Sequence, residues 1–213
     1  MFSLNEDQII VAPPQLTKIP QKYLHQQQIE TTDIKTFFFP TFPRPFKNIE
    51  VIGEAVKLLN KDGFYNFKVI ITIDGTENRY AKTILKRYSL ENNIDFIGLI
   101  KREAVYEFYS KIDCLIFPSK LETWGLPISE FKQFNKPIFV SDLPYAHENV
   151  GNYDKVVYFD PSNASQLAKF MQDFILSNYV PNNCKQAINN STLPHAANWE
   201  QLFSILFNGD KSI

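Results

Sequence analysis

Short apolar runs alternate with amphipathic segments along most of the chain. Six runs rich in Phe, Ile and Val predict buried strands, at 36–39, 67–73, 94–98, 114–117, 136–140 and 155–159. The segments between and after them predict helices at 47–60, 79–92, 103–112, 128–134, 164–176 and 199–207. Continuous apolar strands that alternate with helices are typical of a parallel sheet covered on both faces. We therefore predict an α/β fold with a doubly wound, parallel, Rossmann-like sheet.

The two ends of the chain do not follow this alternation. Residues 8–12 predict one strand, which stops at Pro13-Pro14, and a long polar stretch follows it. We therefore predict a short N-terminal connector at 1–36 and the Rossmann-like domain at 37–178. Residues 179–213 are expected to form polar loops and a terminal helix that packs on this domain.

The composition is that of an ordinary globular protein. Of the 213 residues, 44% are hydrophobic and 21% are charged, and the formal net charge is -1. This balance gives no reason to expect a nucleic acid or a membrane surface as a partner. Cys114 lies in an apolar strand and Cys184 in a polar segment, which indicates neither a disulfide framework nor a metal site. Because no apolar run could span a bilayer and no signal peptide is evident, we expect a cytoplasmic protein without an integral membrane segment.

Two carboxylates flank the loop between the predicted strand 114–117 and the predicted helix 128–134. Glu122 lies just beyond the carboxyl end of the strand, and Glu130 is predicted in the first turn of the helix. Open α/β sheets bind ligands at this edge, and Gly125 permits a close approach of the backbone. The two acids could accept hydrogen bonds from sugar hydroxyls. Alternatively, Glu130 complements the helix dipole and Glu122 is a solvated loop acid.

Basic residues follow the first predicted strand, at the same edge of the sheet. Arg44 and Lys47 could hold a diphosphate, because arginine offers a fork of donors and lysine a point charge. They could equally be solvated residues that precede a helix. Three other residues are expected to have structural roles rather than to bind a ligand. His147 is expected in a loop or in packing, Trp124 as an anchor of its loop, and Gly75 in a turn.

The stretch from Glu122 to Glu130 resembles the E-x7-E motif of retaining glycosyltransferases with the GT-B fold. Pro118-Ser119 and Trp124-Gly125-Leu126-Pro127, on either side of Glu122, resemble glycosyltransferase family 4. Further segments follow the order of that family, at 39–48, 97–98, 113–119, 136–142 and 148–151. The resemblance extends from about residue 8 to residue 207 and concerns the C-terminal, nucleotide-sugar-binding domain of the family.

The resemblance implies which residues hold the nucleotide. Lys47 and Arg44 would bind the diphosphate, Glu130 would bind the ribose hydroxyls, and the turn at Leu99-Ile100 would lie against the nucleobase. Arg44 departs from the family pattern, in which the arginine belongs to a Gly-Arg pair further from the lysine. Here Arg44 stands three residues before Lys47.

The resemblance also implies how the transferred sugar is held. Glu122 would be the catalytic carboxylate that orients the sugar. The backbone of the loop after it would assist, at Thr123, Trp124, Gly125 and Leu126. Members of the family generally need no metal, so neither a metal nor another cofactor is expected.

The implied reaction moves a sugar from a nucleoside-diphosphate sugar to a glycan or lipid-linked acceptor, with retention of configuration. GT-B enzymes have two Rossmann-like domains, and the resemblance covers the donor-binding half. A nucleotide sugar is therefore the expected partner, and a separate N-terminal half could complete a split enzyme. Alternatively, the chain is truncated or its gene is degenerate. Through a partner half, the protein could lie at the inner face of a membrane.

Two other functional classes stay open at this point. One is a non-catalytic subunit that binds a nucleotide sugar or a partner without turnover. The other is a receiver-like or flavodoxin-like module of the same fold class. The second is less well supported, because neither an acidic pocket nor a flavin phosphate loop follows the first predicted strand.

Overall fold

The computed structural model describes residues 9–16, 18–24, 33–182, 196 and 198–208. The chain divides into two units, one of residues 19–184 and one of residues 1–18 together with 185–213. The first unit contains the sheet and all of the predicted site residues. Cys184, for which no disulfide or metal was expected, lies outside the described residues.

The apolar runs of the sequence form one sheet of six strands. The strands are β1 (Lys35–Phe39), β2 (Phe67–Ile71), β3 (Ile94–Phe96), β4 (Cys114–Phe117), β5 (Ile138–Ser141) and β6 (Val156–Phe159). Their order in the sheet is β3-β2-β1-β4-β5-β6, and every neighbouring pair is parallel. The predicted fold class is confirmed. The strand order reverses between β1 and β4, which is the point where open α/β sheets bind ligands.

Eight α-helices are present in the described residues. They are α1 (Gln21–Leu24), α2 (Ile49–Lys61), α3 (Arg79–Tyr88), α4 (Arg102–Lys111), α5 (Leu126–Phe131), α6 (Pro144–Val150), α7 (Ala164–Ile175) and α8 (Trp199–Asn208). Of the described helices, none combines the length and apolar character needed to cross a membrane.

Aromatic side chains of β1 fill the core on both faces of the sheet. Successive residues of a strand point to opposite faces. Accordingly, the Phe37 ring lies 5.5 Å from the Phe174 ring of α7, whereas the Phe38 ring lies 5.0 Å from the Phe108 ring of α4. Phe37 and Phe38 are both fully buried. Helices therefore cover both faces, as a doubly wound sheet requires.

Several helices differ from the predicted pattern; α1, for example, was not predicted, and for α5, α6 and α3 the difference has a local reason. α5 begins at Leu126 rather than at 128, because Gly125 turns the chain with a φ of 83°. α6 was not predicted, since its seven residues, Pro144–Val150, are too few to show a helical period. α3 ends at Tyr88 instead of 92, and its last turn is closed by a hydrogen bond from the Ser89 N–H to the Leu85 carbonyl.

The second unit contains only short regular segments among its described residues. The predicted strand at 8–12 is reduced to a single bridge residue, Val11, whose carbonyl accepts a hydrogen bond of 2.8 Å from the Ala196 N–H. Pro13 and Pro14 lack N–H donors and cannot extend a strand ladder. The predicted terminal helix is confirmed as α8, with exposed Trp199 and Phe203 side chains.

Candidate functional site

The loops that follow β1 and β4 are joined at the point where the strand order reverses. The Lys120 N–H donates a hydrogen bond of 2.7 Å to the Phe46 carbonyl. Asn48 links the same loops, because its side-chain amide donates to the carbonyls of Pro118, at 3.1 Å, and Pro161, at 2.8 Å. Asn48 has a left-handed backbone, with a φ of 57°, between a 3₁₀ turn and α2. These bonds fix the two loops that carry the predicted cation and carboxylate.

Lys47 and Glu122 form an ion pair across these loops. The Lys47 Nζ lies 2.5 Å from the Glu122 Oε1, and the two side chains are only 18% and 11% exposed. The same Nζ lies 5.8 Å from the centre of the Phe117 ring. Two residues that the sequence placed at one edge of the sheet are therefore in direct contact, although 75 positions separate them.

Arg44 does not join this pair. Its side chain is exposed, and its guanidinium carbon lies 5.1 Å from the centre of the Phe42 ring. In the described part of the chain, Arg44 takes part in no ion pair. A positive charge thus lies near Lys47 in sequence and is accessible to an anionic ligand.

Glu130 lies in the second turn of α5, so its predicted place in the first turn is wrong. Gly125 has the left-handed conformation and ends the loop, which places Leu126 and Pro127 in the first turn. Glu130 is buried, with 7% of the whole residue exposed. The alternative in which it complements the helix dipole from the first turn is therefore wrong as well.

Glu130 is paired with a cation that the sequence did not single out. The Arg102 guanidinium lies 2.6 Å from the Glu130 Oε1, and the Tyr109 hydroxyl donates to Oε2 at 3.4 Å. Arg102 also donates from Nε to the Tyr106 hydroxyl oxygen. Burial raises the pKa of the Glu130 carboxyl, and Arg102 and Tyr109 partly oppose that rise. A basic residue that opens a helix beyond the carboxyl end of β3 was the available signal in the sequence.

A buried asparagine holds the loop between the two acids. The Asn149 amide donates to the carbonyls of Trp124 and Gly125, the latter at 3.1 Å. The Ser129 hydroxyl donates to the Asn149 Oδ1 at 2.7 Å and accepts from the Trp124 Nε1 at 3.0 Å. Trp124 is thus an anchor of the loop, as the favoured interpretation predicts. Sequence reasoning missed Asn149, which lies in the unpredicted helix α6.

The remaining predicted site residues are exposed or half-buried. Leu99 is 55% exposed, Ile100 is half-buried, and Gly98 before them has a φ of 72°. The side chains of Thr123 and Leu126 are exposed. The turn at 98–101 leads directly into Arg102, whose guanidinium pairs with the Glu130 carboxylate.

His147 and Gly75 have the structural places that the sequence favoured. The His147 ring stacks on the Tyr158 ring with centres 4.1 Å apart, and its Nε2 lies 2.6 Å from the Asp142 Oδ1. The Gly75 N–H donates to the Glu77 carboxylate at 3.0 Å within a turn. Neither residue contacts Lys47, Glu122 or Glu130 through a described hydrogen bond.

The described site offers cations to an anion and carboxylate oxygens to hydroxyl groups. Among the described residues, no group of three histidine, cysteine, aspartate or glutamate side chains is placed to hold a metal ion. The expectation that the reaction needs no metal stays a prediction.

Two curated relatives align with most of this chain. One is O-antigen chain mannosyltransferase B of Escherichia coli, 25% identical over 168 residues, which cover 78% of this chain and 42% of the relative. The other is O-antigen chain mannosyltransferase RfbU of Salmonella typhimurium, 30% identical over 163 residues, which cover 68% of this chain and 43% of the relative. The chain therefore spans less than half the length of these relatives.

A solved structure and a protein family also match. Anabaena Alr3699/HepE, solved in complex with UDP and glucose, is similar with a TM-score of 0.55 at 18% identity, over 67% of this chain and 39% of that one. This likeness is one of fold. The family described as "Glycosyl transferases group 1" matches residues 21–192, which include every predicted site residue. The chain belongs to that family of glycosyl transferases.

Proposed function

We propose that this chain is the donor-binding part of a retaining glycosyltransferase. The whole enzyme would transfer a sugar from a nucleoside-diphosphate sugar to a glycan or lipid-linked acceptor. The observation that carries the proposal is the contact of Lys47 with Glu122, at 2.5 Å, where the strand order reverses between β1 and β4. The names of the two mannosyltransferase relatives support a hexose and a surface polysaccharide.

Lys47 has the charge and position to bind the diphosphate. Because Lys47 is paired with Glu122 in the structure, the diphosphate would replace the carboxylate as its partner. Glu122 would then be released to accept hydrogen bonds from the sugar hydroxyls. Arg44 lies exposed three residues earlier and would turn from Phe42 toward the same phosphate oxygens.

The reaction exchanges one bond at the anomeric carbon for another. The bond from C1 of the sugar to the diphosphate oxygen breaks, and a bond from C1 to the acceptor oxygen forms on the same face. The acceptor hydroxyl proton leaves with the diphosphate. Negative charge develops on that diphosphate, and fixed cations stabilise such charge at little cost of reorganisation. Lys47, and Arg44 after it has turned, would supply the cations.

The nucleoside would lie along the turn at 98–101 and α5. Glu130 would accept hydrogen bonds from the ribose, and the exposed Leu99 with the Ile100 backbone would face the base. The solved Anabaena relative contains UDP, which supports a uridine nucleotide as one of the donors to test. The binding residues are expected to act without a metal or other cofactor.

Calorimetric titration tests this assignment. UDP, GDP and their sugars would be titrated into the wild type, Lys47→Ala and Glu130→Ala. Each substitution is expected to weaken binding about tenfold or more, because each removes hydrogen bonds to a charged group. Lys86→Ala and Glu107→Ala change exposed residues elsewhere and are the matched controls. Absence of binding at millimolar concentration, or equal binding by all variants, contradicts the proposal.

A binding subunit without catalysis of its own is the second candidate. It is compatible with the described contacts at the site, Lys47 with Glu122 and Arg102 with Glu130, because these concern only the residues proposed to bind the donor. A separate N-terminal half would then present the acceptor and could hold the protein at the inner face of a membrane. Transfer from a nucleotide sugar, assayed with the chain alone and with the product of a neighbouring reading frame, distinguishes the two candidates. Activity of the chain alone contradicts the second.

A further inference from the structure

We propose that Arg102 is a positioning residue, which fixes the Glu130 carboxylate in the orientation that accepts the ribose hydroxyls of a nucleoside diphosphate. The inference rests on the proposed function, because it takes Glu130 as the ribose-binding group. It adds a residue that lies outside the E-x7-E segment, 28 positions before Glu130. It also predicts how the site distinguishes ribose from deoxyribose.

Both carboxylate oxygens of Glu130 have a partner on α4. Arg102 reaches Oε1 at 2.6 Å, and the Tyr109 hydroxyl reaches Oε2 at 3.4 Å. A carboxylate offers about four lone-pair positions, so two described contacts leave lone pairs that ribose hydroxyls could use. The carboxylate is therefore oriented by α4 and still able to accept bonds.

Arg102 is itself held in place, which distinguishes it from a mobile surface arginine. Its Nε donates to the Tyr106 hydroxyl, and its guanidinium carbon lies 5.6 Å from the centre of the Tyr106 ring. Its side chain is 52% exposed, whereas that of Glu130 is 9% exposed. The pair thus joins a buried acid to a cation at the surface of the site. As the first residue of α4, Arg102 couples Glu130 to the turn at 98–101.

The charge of Arg102 also opposes protonation of Glu130. The titratable groups that face this carboxylate come from α4, namely Arg102 and Tyr109, with Tyr106 acting through Arg102. Burial raises the pKa of Glu130, and Arg102 is the largest opposing influence. Without Arg102 the pKa rises further, so the carboxylate takes up its proton at a higher pH. Ribose binding by the ionised form would then be lost at a higher pH than in the wild type.

The test compares ribonucleotides with deoxyribonucleotides. UDP, GDP and their 2′-deoxy counterparts are titrated calorimetrically into the wild type, Arg102→Met and Arg102→Lys, between about pH 5 and 8. The wild type is expected to prefer the ribonucleotide about tenfold or more, since a charged acceptor loses its partner in the deoxy compound. Arg102→Met should reduce this preference to about threefold or less. As the pH is lowered, its affinity for the ribonucleotide should also fall at a higher pH than that of the wild type.

Two variants make the outcome specific. Arg79→Met changes the exposed first residue of α3, a ten-residue helix like α4, and should behave as the wild type. Arg102→Lys keeps the positive charge, so the pH dependence of its binding should stay near that of the wild type. It lacks the planar guanidinium that contacts Tyr106 and Glu130 together, so its preference for the ribonucleotide should fall. If a thermal scan shows that Arg102→Met is unfolded, the inference is tested by the ribose preference of Arg102→Lys.

The results separate this inference from the proposed function. Equal weakening of ribo- and deoxyribonucleotides by both Arg102 variants, with an unshifted pH profile, would show a structural role and overturn the inference. If the wild type binds a nucleotide, Lys47→Ala weakens it, and the Arg102 variants keep the full ribose preference, only the inference fails. If the wild type binds no nucleotide at all, both fail.

Discussion

The Lys47–Glu122 pair predicts that removing an acid from the site strengthens diphosphate binding. In the structure the Lys47 ammonium is paired with this carboxylate, at 2.5 Å. A diphosphate would have to displace that partner before it could bind the cation. Glu122→Gln keeps the shape of the side chain and removes its charge, so Lys47 becomes available. The same change removes a native ion pair and should therefore lower the stability of the fold.

The exposure of the two side chains sets the expected magnitude. At 18% and 11% exposed, the pair lies between a solvated ion pair and a fully buried one. Exposed pairs contribute about 0.2–1 kcal/mol, and hydrogen bonds to charged groups about 1.5–3 kcal/mol. We therefore expect Glu122→Gln to lose about 1–2 kcal/mol of unfolding free energy and to bind a nucleoside diphosphate about 5–30 times more tightly.

Two measurements with opposite signs check this prediction. Urea denaturation gives the loss of stability, and calorimetric titration with UDP and GDP gives the gain in affinity. Glu107→Gln changes an exposed acid of α4 and should alter neither quantity. A folded Glu122→Gln protein that binds nucleoside diphosphates no more tightly than the wild type would refute the competition between carboxylate and phosphate.

Three further substitutions test the framework of the site by urea denaturation. Gly125→Ala should lower the free energy of unfolding more than Gly63→Ala does. Both glycines have a φ of 83°, but only at Gly125 would the added carbon meet side chains within 4 Å, the nearest at 3.3 Å. Equal losses would show that the strained backbone alone accounts for the effect. Asn149→Ala should lower the free energy of unfolding by roughly 1–3 kcal/mol for each buried polar group that it leaves unpaired. Asn92→Ala, on the surface, should lower it little. Phe37→Ala should cost about 3–5 kcal/mol, and a smaller value would mean that the core collapses around the cavity.

The sheet could be predicted because its signal is local. Phe37, Phe38 and Phe39 are all fully buried, so the strand is a continuous apolar run instead of an alternating one. Such runs indicate a parallel sheet, and the carboxyl ends of its strands then share one edge. Lys47 and Glu122 both follow strands at that edge, and the structure joins them there.

The inner arrangement of the site could not be predicted in the same way. One left-handed residue, Gly125, decides where α5 begins and hence that Glu130 lies in its second turn. The pairing of Arg102 with Glu130 depends on how α4 and α5 approach each other, and sequence spacing holds no information about that distance. Asn149 was missed because α6 is too short to show a period. Long-range polar contacts therefore required the three-dimensional structure.

The two acids of the E-x7-E segment differ in whether their present partner would have to be displaced when a ligand binds. Under the proposed function, Glu122 would exchange its cation for a sugar, since Lys47 would bind the diphosphate. Glu130 can keep Arg102, because that guanidinium approaches Oε1 from α4 and leaves lone pairs for the ribose. The proposed ribose-binding carboxylate would therefore keep its partner when the ligand binds, whereas the proposed diphosphate-binding lysine would change its partner. Combining Glu122→Gln with Arg102→Met should therefore give additive changes in nucleotide affinity, and strong coupling between the two would mean that the two groups are not independent.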